Sequence, residues 1–331
     1  MQFQFPPPNI TTLRGTRQKM LHSDFLNALM WTDEYDFDNF VEIWVRNGEM
    51  PLFYKLINNF LLILKYDNEE DKQLFNEYIA EILEYGSKFG FTKIIIIEQL
   101  LKQIEIQYTT MQLFPVASKS ISNETMLYHG CDFLRYPNFS TLQVNSLFEV
   151  PIFMSTSLIF DVACGFAGNS KTIIRIIVKA RDLNQLKYAF FGNTLDLQSD
   201  KSYKENEILL NLYTKLKFKS VTKDVSLTFK VSQPNGHTLN KDGIFTIIDM
   251  EFVGNSSKTP EEVMKSLYKQ SQFFITSASG KNKKKYKKYK KYKKSHIKHL
   301  SAKIKQSRKI YKKKVLTPGK FTKHYRNKII K

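Results

Sequence analysis

The feature that most limits how this chain can fold is the distribution of charge along its sequence. Residues 281–331 contain 23 Lys and Arg and no Asp or Glu, and a segment with so much like charge cannot bury a core of its own. The whole chain has 51 basic and 31 acidic residues, so residues 1–280 keep 28 basic residues against 31 acidic ones. The sequence therefore predicts a nearly neutral folded body and a disordered basic tail at 280–331.

The composition of the body is that of a globular protein, because 42% of the chain is hydrophobic and 14% is aromatic. Only two cysteines occur, Cys131 and Cys164, which is too few for a disulfide framework and is typical of a reducing compartment. We see no secretory signal in residues 1–9 and no apolar run near the 18 or so residues that a transmembrane helix needs. Richness in Lys, Ile, Asn and Tyr is typical of an AT-rich genome. We expect an intracellular protein, in the cytoplasm or nucleus of a host cell, or one associated with a virion.

The first third of the chain is predicted to be helical. Pro6, Pro7 and Pro8 exclude a helix there and favour an extended arm over residues 1–15. Over residues 16–118 apolar residues recur at intervals of three and four, which predicts about five helices. This periodicity is that of helices that pack in an ordinary hydrophobic core, so it does not indicate a function for the region.

The pattern changes at about residue 119, where short apolar segments separated by polar loops replace the long periodic ones. These segments predict the strands of an α+β domain over residues 119–279. A short helix is predicted at Asp161–Phe166, and a closing helix at Glu261–Phe274, which follows a Thr cap and begins with acidic residues. The predicted strands are Thr125–Tyr128, Pro151–Met154, Thr172–Val178, Glu207–Leu212, Val225–Val231 and Gly243–Val253.

Two carboxylates stand out in this domain, Glu205 and Glu207, two positions apart and directly before an apolar run. In a strand they would point to the same face. Two like charges side by side are costly, and the cost is explained if a group that is cationic, or becomes so, binds there. The alternative is a solvated strand edge that merely carries two acidic residues.

Three motifs in order carry a family resemblance: Met126-Leu127-Tyr128-His129-Gly130, then Phe153-Met154-Ser155-Thr156-Ser157, then Glu205-Asn206-Glu207-Ile208-Leu209-Leu210. Together they resemble the mono-ADP-ribosyltransferases of the Arg-Ser-Glu class, which include bacterial exoenzyme toxins. The resemblance covers residues 124–253. It implies a split, twisted β-sandwich that binds NAD⁺ in a cleft, without a metal, and transfers ADP-ribose to an acceptor protein.

The resemblance also implies catalytic roles. Glu207 would bind the 2′-hydroxyl of the nicotinamide ribose and stabilise the oxocarbenium character that develops as the bond to nicotinamide breaks. Glu205 would position the acceptor side chain, with arginine favoured. Ser155 would hold the catalytic glutamate in place through a hydroxyl hydrogen bond, and Thr156 and Ser157 would complete the NAD⁺ site beside it.

His129 departs from the family pattern, because the Arg-Ser-Glu class has an arginine at that position to bind the NAD⁺ phosphates. Another branch, of the diphtheria-toxin type, has a histidine there that bonds the adenosine ribose. We therefore predict NAD⁺ binding by His129 and Gly130, with Arg135 as a substitute for the lost charge. The departure leaves a second hypothesis open, a catalytically inactive protein of the same fold that acts as a nucleic-acid-associated structural or interaction protein.

The tail repeats lysines interrupted by tyrosine at every third position from 286 to 292. Lysine charge binds phosphate backbones, and aromatic rings stack on bases. We predict sequence-independent nucleic-acid binding through residues 281–331. The same composition is consistent with a nuclear-import signal or with adhesion to an anionic membrane.

Overall fold

The computed structural model describes residues 44 and 53–113 of the helical region and the sheet of the body, and the helices predicted before residue 53 otherwise lie outside the described residues. Glu205 and Arg135, the arm at 1–15 and the tail at 280–331 lie outside the described residues, so those predictions remain predictions. Among the described residues, no helix combines the length and apolar character needed to cross a membrane. The described residues are 44, 53–113, 124–131, 142–168, 171–191, 207–232 and 238–278.

Three of the described helices precede the sheet, and their ends follow from local chemistry. The second begins at an Asn68 cap, whose side chain accepts the N–H of Glu70 at 2.8 Å. It ends at a 3₁₀ turn closed by Gly90, with φ at 79°. The α-helices are α1 (Phe53–Tyr66), α2 (Glu69–Gly86), α3 (Lys93–Leu113), α4 (Phe160–Phe166) and α5 (Pro260–Ala278), and the 3₁₀ helices are Ser87–Phe89 and Ala180–Gln185.

The described residues contain eight strands, which form one sheet in the order β2-β7-β8-β4-β1-β3-β6-β5. Strands β4 and β8 are parallel, and all other neighbours are antiparallel. The strands are β1 (Thr125–Cys131), β2 (Leu147–Glu149), β3 (Met154–Ser157), β4 (Thr172–Val178), β5 (Tyr188–Phe191), β6 (Glu207–Leu210), β7 (Lys215–Ser232) and β8 (Thr238–Gly254).

The sheet consists of two parts that meet at one residue pair. Strands β2, β7, β8, β4 and β1 form the wide part, and β3, β6 and β5 form the narrow part. Seven residue pairs join β1 to β4, whereas a single pair, Tyr128 with Ser157, joins β1 to β3. The sheet is therefore nearly split between β1 and β3.

One face of the wide part is apolar and buried. Its side chains include Ile174, Ile176, Ile248 and Met250, each at most 1% exposed. Burying one such side chain stabilises the fold by about 1.5–3 kcal/mol, so this face provides much of the core energy. The opposite face, called the open face below, carries Tyr128, Arg175, Asp249 and Glu251 on alternate positions of the same strands. Its Ile173 end is buried, in a cluster with Ala163 and Cys164 of the short helix α4.

The helical region is bonded to the narrow part through the residue that precedes β3. The amide of Asn58 in α1 donates to the Phe153 carbonyl at 3.0 Å and accepts the Phe153 N–H at 3.2 Å. Trp44 packs edge-on against the Phe153 ring, with centroids 6.1 Å apart. A helix amide thus takes the place of a strand partner for the Phe153 backbone.

The predicted α+β fold class is confirmed, as is the short helix at α4. The closing helix is confirmed with its capping box, since Thr259 N–H donates to Glu262 at 2.7 Å and Glu262 N–H donates to Thr259 Oγ1 at 3.2 Å. The strand predicted at Pro151–Met154 is wrong, because the strand runs from Met154 to Ser157. Pro151 has no N–H to donate, and the Phe153 backbone bonds to Asn58 instead. Sequence reasoning also missed β2, β5 and the first half of β7.

Candidate active site

The three sequence motifs, more than 70 residues apart at their extremes, lie on three neighbouring strands. His129 and Gly130 lie on β1, Ser155 to Ser157 on β3, and Glu207 begins β6. The register pairs Tyr128 with Ser157 and Ser157 with Glu207. Tyr128, Ser157 and Glu207 therefore form one row across β1, β3 and β6, on the open face, because directly paired residues share a face.

Ser157, rather than Ser155, is the direct cross-strand neighbour of Glu207. Paired Cβ atoms lie about 4.5–5.5 Å apart, whereas a diagonal neighbour such as Ser155 lies at about 7–8 Å. Glu207 is half-buried and Ser157 is 4% exposed. The Ser157 hydroxyl also accepts the N–H of Ile159 at 2.9 Å. Ser157 is thus held between the strand end and the turn into α4, beside the acid.

Thr156 lies on the other face of β3. Its hydroxyl donates to the Ile208 carbonyl at 2.6 Å, and the residue is 3% exposed. This bond joins β3 to β6 across a directly paired position. Within the described contacts, Thr156 therefore fixes the strand that carries Glu207.

His129 bridges the nearly split junction between β1 and β3. Its Nδ1 lies 2.6 Å from the Ser155 carbonyl oxygen. Since a carbonyl only accepts, Nδ1 carries the proton and Nε2 carries a lone pair. Burial lowers the pKa of His129 to about 4, and the bond to Ser155 opposes that shift only in part. At neutral pH the ring is therefore an uncharged group whose Nε2 accepts hydrogen bonds.

Gly130 is required for the approach of α4 to β1. A Cβ atom at Gly130 would lie 2.1 Å from the Ala163 carbonyl oxygen and 2.6 Å from the Ala167 nitrogen. Next to it, the Tyr128 and Phe160 rings meet edge to face, with centroids 5.2 Å apart. The glycine of the first motif thus has a packing role, which places α4 against the row that carries Glu207.

The row continues into the wide part and ends in charged groups that sequence reasoning missed. Tyr128 pairs with Arg175, Arg175 with Asp249, and Asp249 with Ser220. Arg175 donates to Asp249 through Nε at 2.5 Å and Nη2 at 2.9 Å. Hydrogen bonding to Asp249 is the main reason that the pKa of Arg175 is raised. The signal was present in the sequence, because an arginine in the middle of the apolar run Thr172–Val178 needs a partner.

Arg175 lies three strand spacings from Glu207, or about 14 Å along the row. The row therefore has an acid at Glu207 and, three strands away, the Arg175–Asp249 ion pair, with the hydroxyl groups of Ser157 and Tyr128 between them.

Comparisons with known proteins were made on sequence and on structure. No protein-family model matches the sequence, and a search of curated proteins gave no match. Among solved structures, the enzymatic component C2-I of the Clostridium botulinum C2 toxin is 16% identical, with 68% of this chain and 47% of that chain covered and a TM-score of 0.31. This chain therefore spans about half the length of that protein.

Two further solved structures have similarly low sequence identities and TM-scores. The catalytic domain of VahC from Aeromonas hydrophila is 15% identical, with 61% of this chain and 100% of that chain covered and a TM-score of 0.32. An ADP-ribosyltransferase from Clostridium botulinum, solved in a triclinic crystal form, is 11% identical, with 60% of this chain and 88% of that chain covered and a TM-score of 0.27. Likeness at these TM-scores is too slight to assign this chain a family or an activity.

Proposed function

We propose that this chain is an NAD⁺-dependent protein mono-ADP-ribosyltransferase whose reaction takes place on the open face of the narrow part. The observation that carries the proposal is the row across β1, β3 and β6. In it Glu207 lies directly opposite Ser157, while His129 bonds the Ser155 carbonyl. Tyr128 of the first motif, Ser157 of the second and Glu207 of the third thus share one surface, while His129 pairs with Ile174 on the other face.

The reaction breaks the bond between nicotinamide and C1′ of its ribose, and nicotinamide leaves with the bonding electrons. A nucleophilic side chain of the acceptor protein then bonds to C1′ and loses a proton. Positive charge builds up on the sugar between the two events. Glu207 opposes that charge and holds the ribose 2′-hydroxyl, an arrangement that stabilises such transition states by several kcal/mol.

An uncharged imidazole cannot replace the charged fork of an arginine on a pyrophosphate. His129 supports the site by tying β1 to β3 through the Ser155 carbonyl, and its direct contact with NAD⁺ stays a prediction. The cation that the row offers to the pyrophosphate is Arg175, whose Nη1 hydrogens are not among those that bond Asp249 in the structure. Arg135 stays a prediction for the same role.

The acceptor in this proposal is a protein, with an arginine side chain favoured. The preference rests on Glu205, whose carboxylate would orient a guanidinium by paired hydrogen bonds. Glu205 lies outside the described residues, so its position stays a prediction.

The test is transfer of labelled ADP-ribose from NAD⁺ to a panel of proteins. Wild-type protein should label at least one of them or release nicotinamide, and Glu207→Gln should reduce the rate more than tenfold, because a lost charged hydrogen bond costs about 1.5–3 kcal/mol. Absence of both activities in the wild type, or full activity in Glu207→Gln, would contradict the proposal.

A second candidate is a catalytically inactive protein of this fold, and the uncharged His129 favours it, since it stands where the Arg-Ser-Glu class has a permanently charged arginine. Titration calorimetry with NAD⁺ distinguishes the two. Saturable binding supports the transferase, and no binding at millimolar NAD⁺ supports the inactive protein.

A further inference from the structure

A second charged cluster lies on the open face of the wide part, centred on Glu251, two residues along β8 from Asp249. Glu251 on β8 is only 5% exposed, yet three lysine ammonium groups contact its carboxylate. Lys219 lies at 3.2 Å, Lys217 at 3.4 Å, and Lys179 also contacts it. We call these three residues the lysine trio. One negative charge among three positive ones leaves a local excess of two.

A strand irregularity brings the trio together. Lys217 pairs with Glu251 in the register, and the pairing then shifts between Phe218 and Ser220, so that Lys219 has no direct partner on β8. A bulge of this kind re-aims a side chain. Lys219 thereby reaches the same carboxylate oxygen as Lys217, whereas an unbroken register would place it opposite Asp249.

The lysines of the trio are accessible although the carboxylate is not. Lys179 and Lys219 are each 39% exposed and Lys217 is 30% exposed, against 7% for the Glu251 side chain. Hydrogen bonding to Lys179, and then to the other two lysines, lowers the pKa of Glu251 to about 2. At neutral pH the carboxylate is therefore ionised and holds three solvated ammonium groups in fixed positions.

Fixed ammonium groups with a net positive excess are suited to phosphate, which lysine binds as a point charge. Glu251 and the two lysines of β7 lie four to five strand spacings from Glu207, which is about 19–24 Å, so the trio is separate from the reacting end of the proposed NAD⁺ site. The partner must also match residues 281–331, which add 23 basic residues and no acidic ones to the same chain. A dense polyanion matches both features.

We infer that the open face around Lys179, Lys217 and Lys219 binds the phosphate backbone of nucleic acid, independently of sequence and of the proposed transferase activity. In this face Glu251 holds the three lysines in position.

The test measures binding of the full-length chain to random-sequence duplex DNA over a range of salt concentrations. One variant combines Lys179→Gln, Lys217→Gln and Lys219→Gln. Its matched control combines Lys223→Gln, Lys230→Gln and Lys241→Gln, three exposed lysines of the β7–β8 hairpin, so both variants lose the same net charge. Neither variant alters residues 281–331, so these residues contribute equally to binding by the wild type and by both variants.

The trio variant should have a shallower dependence of log K on log salt than the control, by up to about 2.7, because each phosphate contact contributes about 0.9 to the slope. Equal losses in the two variants would overturn the inference, since only net charge would then matter. The inference would also be overturned if the wild-type chain bound poly-glutamate as tightly as DNA and the trio variant lost that binding to the same extent. The face would then bind acidic proteins.

A second variant guards against misfolding of the trio variant, in which Glu251 loses its partners. Glu251→Gln keeps all three lysines, leaves an amide oxygen that accepts hydrogen bonds from them, and raises the local excess to three positive charges. It should bind DNA several-fold more tightly than wild type at low salt. Unchanged or weaker binding by a folded Glu251→Gln protein would overturn the inference.

Discussion

The wide and narrow parts of the sheet surround their open-face carboxylates differently. In the wide part, Asp249 is bonded by both Nε and Nη2 of Arg175, and Glu251 is held by the lysine trio. In the narrow part, the cross-strand neighbour of Glu207 is the hydroxyl residue Ser157. The comparison teaches that the wide-part acids stabilise the folded state through ion pairs with Arg175 and the lysine trio, whereas the role proposed for Glu207 is toward a ligand.

The largest expected effect is at the junction of the two parts, where Gly130 contacts α4. Gly130→Ala places a methyl group against backbone atoms that cannot move aside, so we expect the free energy of unfolding to fall by about 3 kcal/mol. Chemical denaturation measures it. Gly165→Ala in the same helix is the control, because a Cβ there meets nothing within 4 Å, and it should be neutral or slightly stabilising. Equal stability of the two variants would mean that the contact with α4 is not made.

The next largest effect is expected when Glu207 and Glu251 are each replaced by glutamine and the two variants are compared. Glu207→Gln should lose more than tenfold in ADP-ribose transfer, through the loss of about 1.5–3 kcal/mol of transition-state stabilisation, with the free energy of unfolding unchanged within about 0.5 kcal/mol. Glu251→Gln should do the reverse, with transfer retained and stability reduced. If both variants lose stability and neither loses activity, the distinction between the two parts of the sheet fails.

A smaller effect is expected where α1 joins the narrow part. Asn58→Ala leaves the Phe153 N–H and carbonyl without their partners, so thermal or chemical unfolding should show a loss of about 2 kcal/mol. Asn76→Ala on the exposed side of α2 is the control, with an expected change below about 0.5 kcal/mol. A neutral Asn58→Ala would show that the helical region does not support β3.

The smallest effect is the pH dependence of the wide part. The folded-state pKa of Glu251 is about 2, below its unfolded value near 4.3, so its contribution to stability is present above that value and disappears as the pH falls through 2. The stability difference between wild type and Glu251→Gln should be about 1 kcal/mol or less at pH 7, because the lysines are partly solvated, and should vanish near pH 2. A difference that persists at pH 2 would mean that the ion pairs are not its source.

Much of this arrangement could be predicted from the sequence, because it depends on local patterns. Thr259 and Glu262 define the start of α5 within four residues. The apolar run Thr172–Val178 is fully β4. The pairing of Ser157 with Glu207 could not be predicted, since it depends on how two distant strands align, and the motifs pointed to Ser155 instead.

Two other features depend on tertiary contacts that no local pattern contains. The bulge at Lys219 appears only when β7 is aligned with β8, because the alternation of Lys215 to Lys219 in sequence is that of a regular strand. The burial that keeps His129 uncharged arises from residues brought together by folding, so its sequence gives no sign of a pKa near 4.

The most direct test of the central claim is amide hydrogen exchange of the full-length chain with and without NAD⁺. If the open face of the narrow part is the NAD⁺ site, exchange should slow at β3, at the start of β6 and around His129, while α2 exchanges as before. NAD⁺ that leaves exchange unchanged at β3 and β6, or slows it only elsewhere, would contradict the account.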